Sequence, residues 1–221
     1  MRLPNVLAAT LVISLIAFGS AKSANLTPSS GRPTSLLCGP NIAVGTDSYQ
    51  KIRNLLLGPT LDEKGVGKVE QLLIHDGENC KKANGTALFA ELFRLVGNRW
   101  RTIGALRRAD TSFDISYKHA AGTQNNLLGQ ISTLQDWSRL KVQMNDASGA
   151  RRLASLQSSL ARRAYLTHKF GSSLAVSSIY FEAAILNSIG DFKAASRKSA
   201  EAAALNRKSP ECKGLCAWKS N

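Results

Sequence analysis

Arginine side chains recur at spacings that would present several of them together to an anionic partner. Arg151 and Arg162 lie eleven residues apart, and Arg152 and Arg163 repeat this interval. Eleven residues complete three turns of an α-helix to within about 20°. The four arginines are therefore predicted to form a band on one side of a helix, away from a row of leucines (Leu153, Leu156 and Leu160). Guanidinium groups bind phosphate and carboxylate through paired hydrogen bonds, so the band is a candidate binding surface.

Two further basic groups accompany this band. One is predicted to surround a single helix with apolar positions at Trp100, Ile103 and Leu106, and it comprises Arg99, Arg101, Arg107 and Arg108. The other lies on the last predicted helix and comprises Lys193, Arg197, Lys198, Arg207 and Lys208. These groups are either parts of one recognition surface or separate solvated faces, and the sequence leaves both interpretations open.

The net charge favours acidic partners without identifying one. The chain has 29 lysines and arginines against 15 acidic residues, a formal charge of +14 and a pI near 10. Such a charge speeds encounters with anions and weakens with salt, although it also serves solubility alone. An acidic protein or an anionic cell-envelope polymer is the expected partner, and nucleic acid is an alternative. No cofactor and no metal ion is predicted.

The N-terminal residues have the pattern of an export signal. Arg2 precedes thirteen uncharged residues, Val6 to Phe18, and small residues follow as far as Ala24. A signal-peptide core needs about 7–15 apolar residues, whereas a membrane-spanning helix needs about 20. Residues 1–23 are therefore predicted to be a signal peptide, and the mature protein is expected to be periplasmic or secreted, with no transmembrane segment after processing.

Four cysteines in an exported chain indicate two disulfide bonds. Of the three possible pairings, Cys38–Cys80 with Cys212–Cys216 is favoured, because the second pair is only four positions apart. Residues 24–47, rich in Pro, Ser and Gly, are predicted to be an extended lead-in. A helical domain is predicted at 48–209 and a cysteine-containing tail at 210–221.

Apolar periodicity in the domain predicts an all-α fold of about seven helices, arranged as a bundle or as a short array of helical hairpins and stabilised by disulfides. Helix ends are expected at Gly58-Pro59 and Gly97-Asn98, and Asp146 is expected to cap a helix. Residues 112–119 alternate as a strand does, with Phe113, Ile115 and Tyr117 on one side. Because no other segment is predicted to be a strand that could pair with it, an irregular link or a helix start is predicted there.

Residues 179–210 resemble a tetratricopeptide repeat, which pairs two antiparallel helices with small residues at their contacts. Ala183 matches the small position of the first helix, and Gly190-Asp191-Phe192 matches the turn. Ala195 and Ala202 match the small positions of the second helix. The resemblance implies a scaffold that binds proteins, although an ordinary helical hairpin has the same features and no 34-residue step extends the repeat upstream.

Ser178 to Ala183 is also similar to a helix of the spore-cortex-lytic type of cell-wall hydrolase. This resemblance implies that Glu182 is a general acid for glycoside hydrolysis. The spacing from Glu182 to the Leu205-Asn206-Arg207 motif is longer than in that family. A third hypothesis, a basic secreted nuclease or toxin, would use pairs of the three histidines His75, His119 and His168. A binding or adaptor protein is the first hypothesis.

Overall fold

Eight helices build the part of the chain that the structure describes, which is residues 42–79, 86–123, 126–167 and 169–208 of a computed structural model. The helices are α1 (Ile42–Leu57), α2 (Glu63–Asn79), α3 (Thr86–Ile103), α4 (Leu106–Gly122), α5 (Leu127–Gln143), α6 (Ala147–Leu166), α7 (Ser172–Ser188) and α8 (Phe192–Lys208). No strand occurs in these ranges. The all-α prediction is confirmed, with eight described helices where about seven were expected. The signal peptide, the four cysteines and His168 lie outside the described residues.

Six of the eight described helices pair into three hairpins that follow one another in order: α3 packs most extensively on α4, α5 on α6, and α7 on α8. The first two described helices, α1 and α2, both pack on α3. Each odd-numbered helix also contacts the next odd-numbered helix: α1 contacts α3, α3 contacts α5, and α5 contacts α7. The even-numbered helices α2, α4 and α6 contact the first helix of the following hairpin. This pattern places every described hairpin beside its neighbours in sequence.

The three hairpins turn through the same backbone motif. Gly104, Asn145 and Gly190 have positive φ angles of 91°, 58° and 83°. In each turn the next residue donates its N–H to a carbonyl five positions back, at Trp100, Lys141 and Leu186 respectively, over 2.9 Å. This is the Schellman motif, which reverses the chain with one residue in the left-handed region. Glycine and asparagine occupy these positions because they tolerate that region best.

Aspartates cap the helices that follow two of these turns, as predicted for Asp146. Its Oδ1 accepts the N–H of Gly149 at 2.8 Å, and this bond lowers the pKa of the Asp146 carboxyl. Asp191 accepts the N–H of Ala194 at 3.1 Å, which lowers its pKa in the same way. A carboxylate at a helix N-terminus satisfies an otherwise free amide and complements the helix dipole.

The predicted break at Gly97-Asn98 is wrong, because α3 continues through it to Ile103. Gly97 instead allows close packing, since a Cβ there would lie 2.9 Å from the Phe113 ring. The second arginine group is therefore not on one helix. Arg99 and Arg101 lie on α3, whereas Arg107 and Arg108 lie on α4.

The strand-like residues 112–119 belong to the continuous helix α4, so the predicted irregular link is also wrong. Small buried residues on this helix, Ala109, Ser112, Ser116 and Ala120, let it lie against its neighbours. The Ser116 hydroxyl donates to the carbonyl of Ala90 in α3 at 2.6 Å. Helical spacing of these small residues outweighs the period-two pattern of the larger ones. Helix α1 begins at Ile42, six residues before the predicted start of the helical domain at residue 48.

Large side chains are concentrated in the first five helices. The main core contains Phe89, Phe93, Trp100 and Phe113 among its buried members. A smaller cluster between α6 and α7 is built on Ala150, Ala154 and Ile185. The C-terminal hairpins are therefore packed mainly through small residues, which lets α6, α7 and α8 approach one another closely.

Candidate functional site

The arginine band of α6 is exposed, as the eleven-residue spacing predicts. All four members, Arg151, Arg152, Arg162 and Arg163, have solvent-exposed side chains. The opposite side of α6 is buried through Ala150, Leu153, Ala154, Gln157, Ser158, Ala161 and Ala164. The predicted leucine row is only partly correct, because Leu156 is 37% exposed and Leu160 is half-buried, whereas Leu153 is buried.

The four arginines of the band divide into two pairs with different surroundings. Arg151 donates to Oδ2 of Asp191 at 2.7 Å, and Arg162 pairs with Glu201. Both acids belong to the last hairpin, so these two arginines join α6 to it. Arg152 and Arg163 have no ion pair within the described ranges. The band thus offers two uncompensated guanidinium groups, eleven residues apart on the same side of one helix.

Two arginines of the second group, Arg99 and Arg108, contact other parts of the fold. Arg99 donates from its Nη2 to the carbonyls of Gly58 and Leu61 at 2.6 and 3.3 Å. This contact ties α3 to the turn between α1 and α2. The Arg108 guanidinium lies 4.1 Å from the centre of the Trp100 ring and 3.9 Å from Glu70. Neither side chain is available to a partner without losing these contacts.

A row of polar contacts that the sequence did not indicate joins the odd-numbered helices. We call it the arginine ladder and define it by three rungs. Arg53 of α1 donates to Glu91 of α3 at 3.1 Å, Arg94 of α3 donates to Asp136 of α5 at 2.7 Å, and Arg139 of α5 lies 5.2 Å from the centre of the Phe181 ring in α7. Glu91, Asp136 and Phe181 follow at intervals of 45 residues, and so do Arg94 and Arg139.

Each carboxylate of the arginine ladder also accepts a hydrogen bond from an uncharged side chain. The Tyr49 hydroxyl donates to Glu91 at 2.5 Å, and the Asn98 amide donates to Asp136 at 2.7 Å. Burial raises the pKa of Glu91, but the bonds from Tyr49 and Arg53 outweigh it and the net pKa is lowered. Burial together with the Glu91 carboxylate raises the pKa of Tyr49 to about 12. The ladder is therefore a set of satisfied charges that holds hairpins together.

Glu182, the candidate general acid, lies inside the packed C-terminal hairpins. It is 4% exposed, accepts the Ser158 hydroxyl at 2.6 Å and pairs with the Lys198 ammonium at 3.0 Å. It does not line either of two clefts, one beside Phe170 and the other beside Phe192. A general acid must reach the glycosidic oxygen from beside a substrate cleft, so the role of Glu182 as a general acid stays a prediction.

The two described histidines have different surroundings. His119 stacks on the rings of Phe89 and Phe93 at centroid distances of 5.7 and 5.8 Å. His75 is about half exposed on α2 and lies 3.8 Å from Asp76. Within the described ranges, no group of three or more Asp, Glu, His or Cys residues is placed to hold a metal ion.

Searches against protein-family models, curated proteins and solved structures gave no match to the chain. The interpretation of the site therefore depends on geometry and charge alone. No helix in the described ranges combines the length and the apolar character needed to cross a membrane.

Proposed function

We propose that the protein is an exported binding or adaptor protein that recognises an acidic partner through two unpaired arginines of α6, Arg152 and Arg163. One observation carries the proposal. Arg152 and Arg163 are exposed and lack ion pairs in the described part of the chain, whereas Arg151 and Arg162, each one position away, are neutralised by the neighbouring hairpin. Two fixed positive charges on a rigid helix suit a partner that carries carboxylates or phosphates at matching intervals.

The order in which the helices contact one another supports the idea that the protein is a helical scaffold. Hairpins that each contact the next one are typical of helical arrays, which bind proteins along extended surfaces. The features that resemble a tetratricopeptide repeat are consistent with such an array. Gly190 takes the left-handed conformation in the turn, and Ala183, Ala195 and Ala202 are buried at helix contacts. The repeat interval we propose is 41 to 45 residues, from the turn positions Gly104, Asn145 and Gly190.

The compartment and the disulfides remain part of the proposal. Residues 1–23 would be removed on export, and the Cys38–Cys80 and Cys212–Cys216 bonds would form outside the cytosol. Sequencing the N-terminus of the mature protein and titrating its thiols would test both expectations. An intact leader together with four free thiols would contradict them.

Charge reversal tests the binding proposal. A fluorescent oligoglutamate peptide serves as the acidic probe, and its anisotropy gives the Kd at several salt concentrations. The double variant Arg152→Glu/Arg163→Glu is expected to bind at least about tenfold more weakly and with a smaller salt dependence.

The matched control is Lys51→Glu/Lys64→Glu, which makes the same change in net charge at exposed lysines of α1 and α2. We expect its Kd to stay within about twofold of the parent value. Equal weakening by both double variants would show that only bulk charge matters and would overturn the assignment to α6. Circular dichroism verifies that both variants keep their helices.

A further inference from the structure

One cleft brings two unpaired cations next to apolar side chains. It has a volume of about 570 Å³ and lies where the start of α5 meets the end of α6 and the segment after it. Arg163 and Lys169 line it, and neither has an ion pair within the described ranges. No acidic residue is found among its described lining. An anion in this cleft would therefore meet positive charge without a competing carboxylate.

The start of α5 supplies a further polar group to the same cleft. Asn126 caps the helix by accepting the N–H of Gly129 at 3.2 Å through its Oδ1. Its amide nitrogen has no acceptor in the described part of the chain, so it can donate to a ligand. The N-terminus of a 17-residue helix adds a partial positive charge at this side of the cleft.

Besides the polar Gln130 and Thr167, the remaining lining is apolar and consists chiefly of Leu127, Leu160 and Phe170. All three side chains are partly exposed, so they have surface left to bury against a ligand. A simple inorganic ion would leave this surface in water, whereas a ligand with an alkyl body would cover it.

We propose that this cleft binds an amphiphilic phosphate, a doubly charged phosphate monoester carried on an apolar chain. Arg163 would hold two phosphate oxygens with its fork of N–H groups, Lys169 would balance the remaining charge, and the chain would lie on Phe170 and Leu160. This inference deepens the proposed function, because Arg163 belongs to both surfaces. The same chemistry could come from a soluble phosphate ester or from a phosphate-bearing lipid headgroup.

Isothermal titration with octyl phosphate, kept below its critical micelle concentration, tests the cleft against inorganic phosphate. We expect octyl phosphate to bind at least about tenfold more tightly. Lys169→Gln and Arg163→Gln should each weaken octyl phosphate about tenfold. Arg152→Gln removes the same charge from the same helix outside the cleft and should have no effect. Phe170→Ala should weaken octyl phosphate and leave inorganic phosphate unchanged.

Two results would overturn the proposal: equal affinity for octyl and inorganic phosphate, or equal weakening by Arg152→Gln and Lys169→Gln. Co-sedimentation with phosphatidylcholine vesicles, with and without phosphatidic acid, distinguishes the two ligand sources. If Lys169→Gln weakens vesicle binding as well, the ligand is a lipid headgroup; if only octyl phosphate is affected, it is soluble. If either of the two overturning results is obtained and oligoglutamate binding still needs Arg152, the cleft proposal fails while the proposed function stands. Far-UV circular dichroism verifies that every variant is folded.

Discussion

At the scale of single residues, pairing decides the role of each charge. Arg151 and Arg152 are adjacent in sequence and are the same residue type, yet one joins two hairpins and the other faces solvent without an ion pair in the described ranges. Glu182 shows the same dependence on surroundings. Its carboxylate is held by Ser158 and Lys198, so it stabilises a helix junction.

The contribution of Glu182 to stability can be measured directly. Glu182→Gln leaves the Lys198 ammonium, whose side chain is 28% exposed, without its buried partner. We expect the free energy of unfolding in urea to fall by about 2 kcal/mol. Glu201→Gln is the control, because that carboxylate is more exposed and should cost less than about 1 kcal/mol. Equal losses in the two variants would contradict a specific role for the buried carboxylate.

Tyr49 makes stability depend on alkaline pH. Its pKa is raised to about 12 in the folded protein, above the ordinary value of 10. Folding therefore favours the protonated phenol. This stabilisation is complete below pH 10 and is lost as the pH rises towards 12. Urea unfolding of the parent and Tyr49→Phe across this range should show the parent's advantage shrinking, and a constant difference up to pH 12 would contradict the raised pKa.

At the scale of elements, the turns show which sequence signals are reliable. Gly190-Asp191 was predicted as a turn, and the same turn occurs at Asn145-Asp146 and Gly104-Ala105. The sequence does not single out the other two turns, because the three turns are not spaced by 34 residues and one of them has asparagine at the left-handed position. A glycine or asparagine followed directly by a capping aspartate marks two of the three turns, at Asn145-Asp146 and Gly190-Asp191.

The left-handed turn positions predict a clear contrast between glycines. Gly190→Ala and Gly104→Ala should each lower the free energy of unfolding by about 1 kcal/mol, because their φ angles are positive although a Cβ would meet nothing within 4 Å. Gly122→Ala has equal space and no positive φ angle, and it should leave stability unchanged or raise it by up to about 1 kcal/mol. Thermal and urea unfolding measure all three. A loss at Gly122 as large as at Gly190 would show that the turn conformation is not the cause.

At the scale of the whole molecule, packing is uneven along the hairpins. Among the largest fully buried side chains of the described residues, only Ile179 lies beyond α5. In an array where each hairpin contacts its neighbours, local stability follows the local core.

Native-state hydrogen exchange should therefore distinguish the two ends. We expect amides of α7 and α8 to open with a lower free energy than those of α3 and α4. Ile185→Ala should lower protection in α6, α7 and α8 and change α3 little, since Ile185 belongs to the small cluster with Ala150 and Ala154. A single opening free energy for all described helices would contradict this expectation and indicate one cooperative unit.

Sequence patterns alone are enough to predict the helical class, the cap at Asp146, the turn at Gly190-Asp191 and the exposure of the α6 arginines. These properties depend on periodicity and caps, which act over one or two turns of chain. The packing of the helices was needed to see which arginines are neutralised, that Gly97 packs against Phe113, and that Glu91, Asp136 and Phe181 occupy corresponding positions of the arginine ladder. Each of these depends on contacts between residues far apart in the chain. The packing of the helices determines which acidic residue lies beside a given arginine.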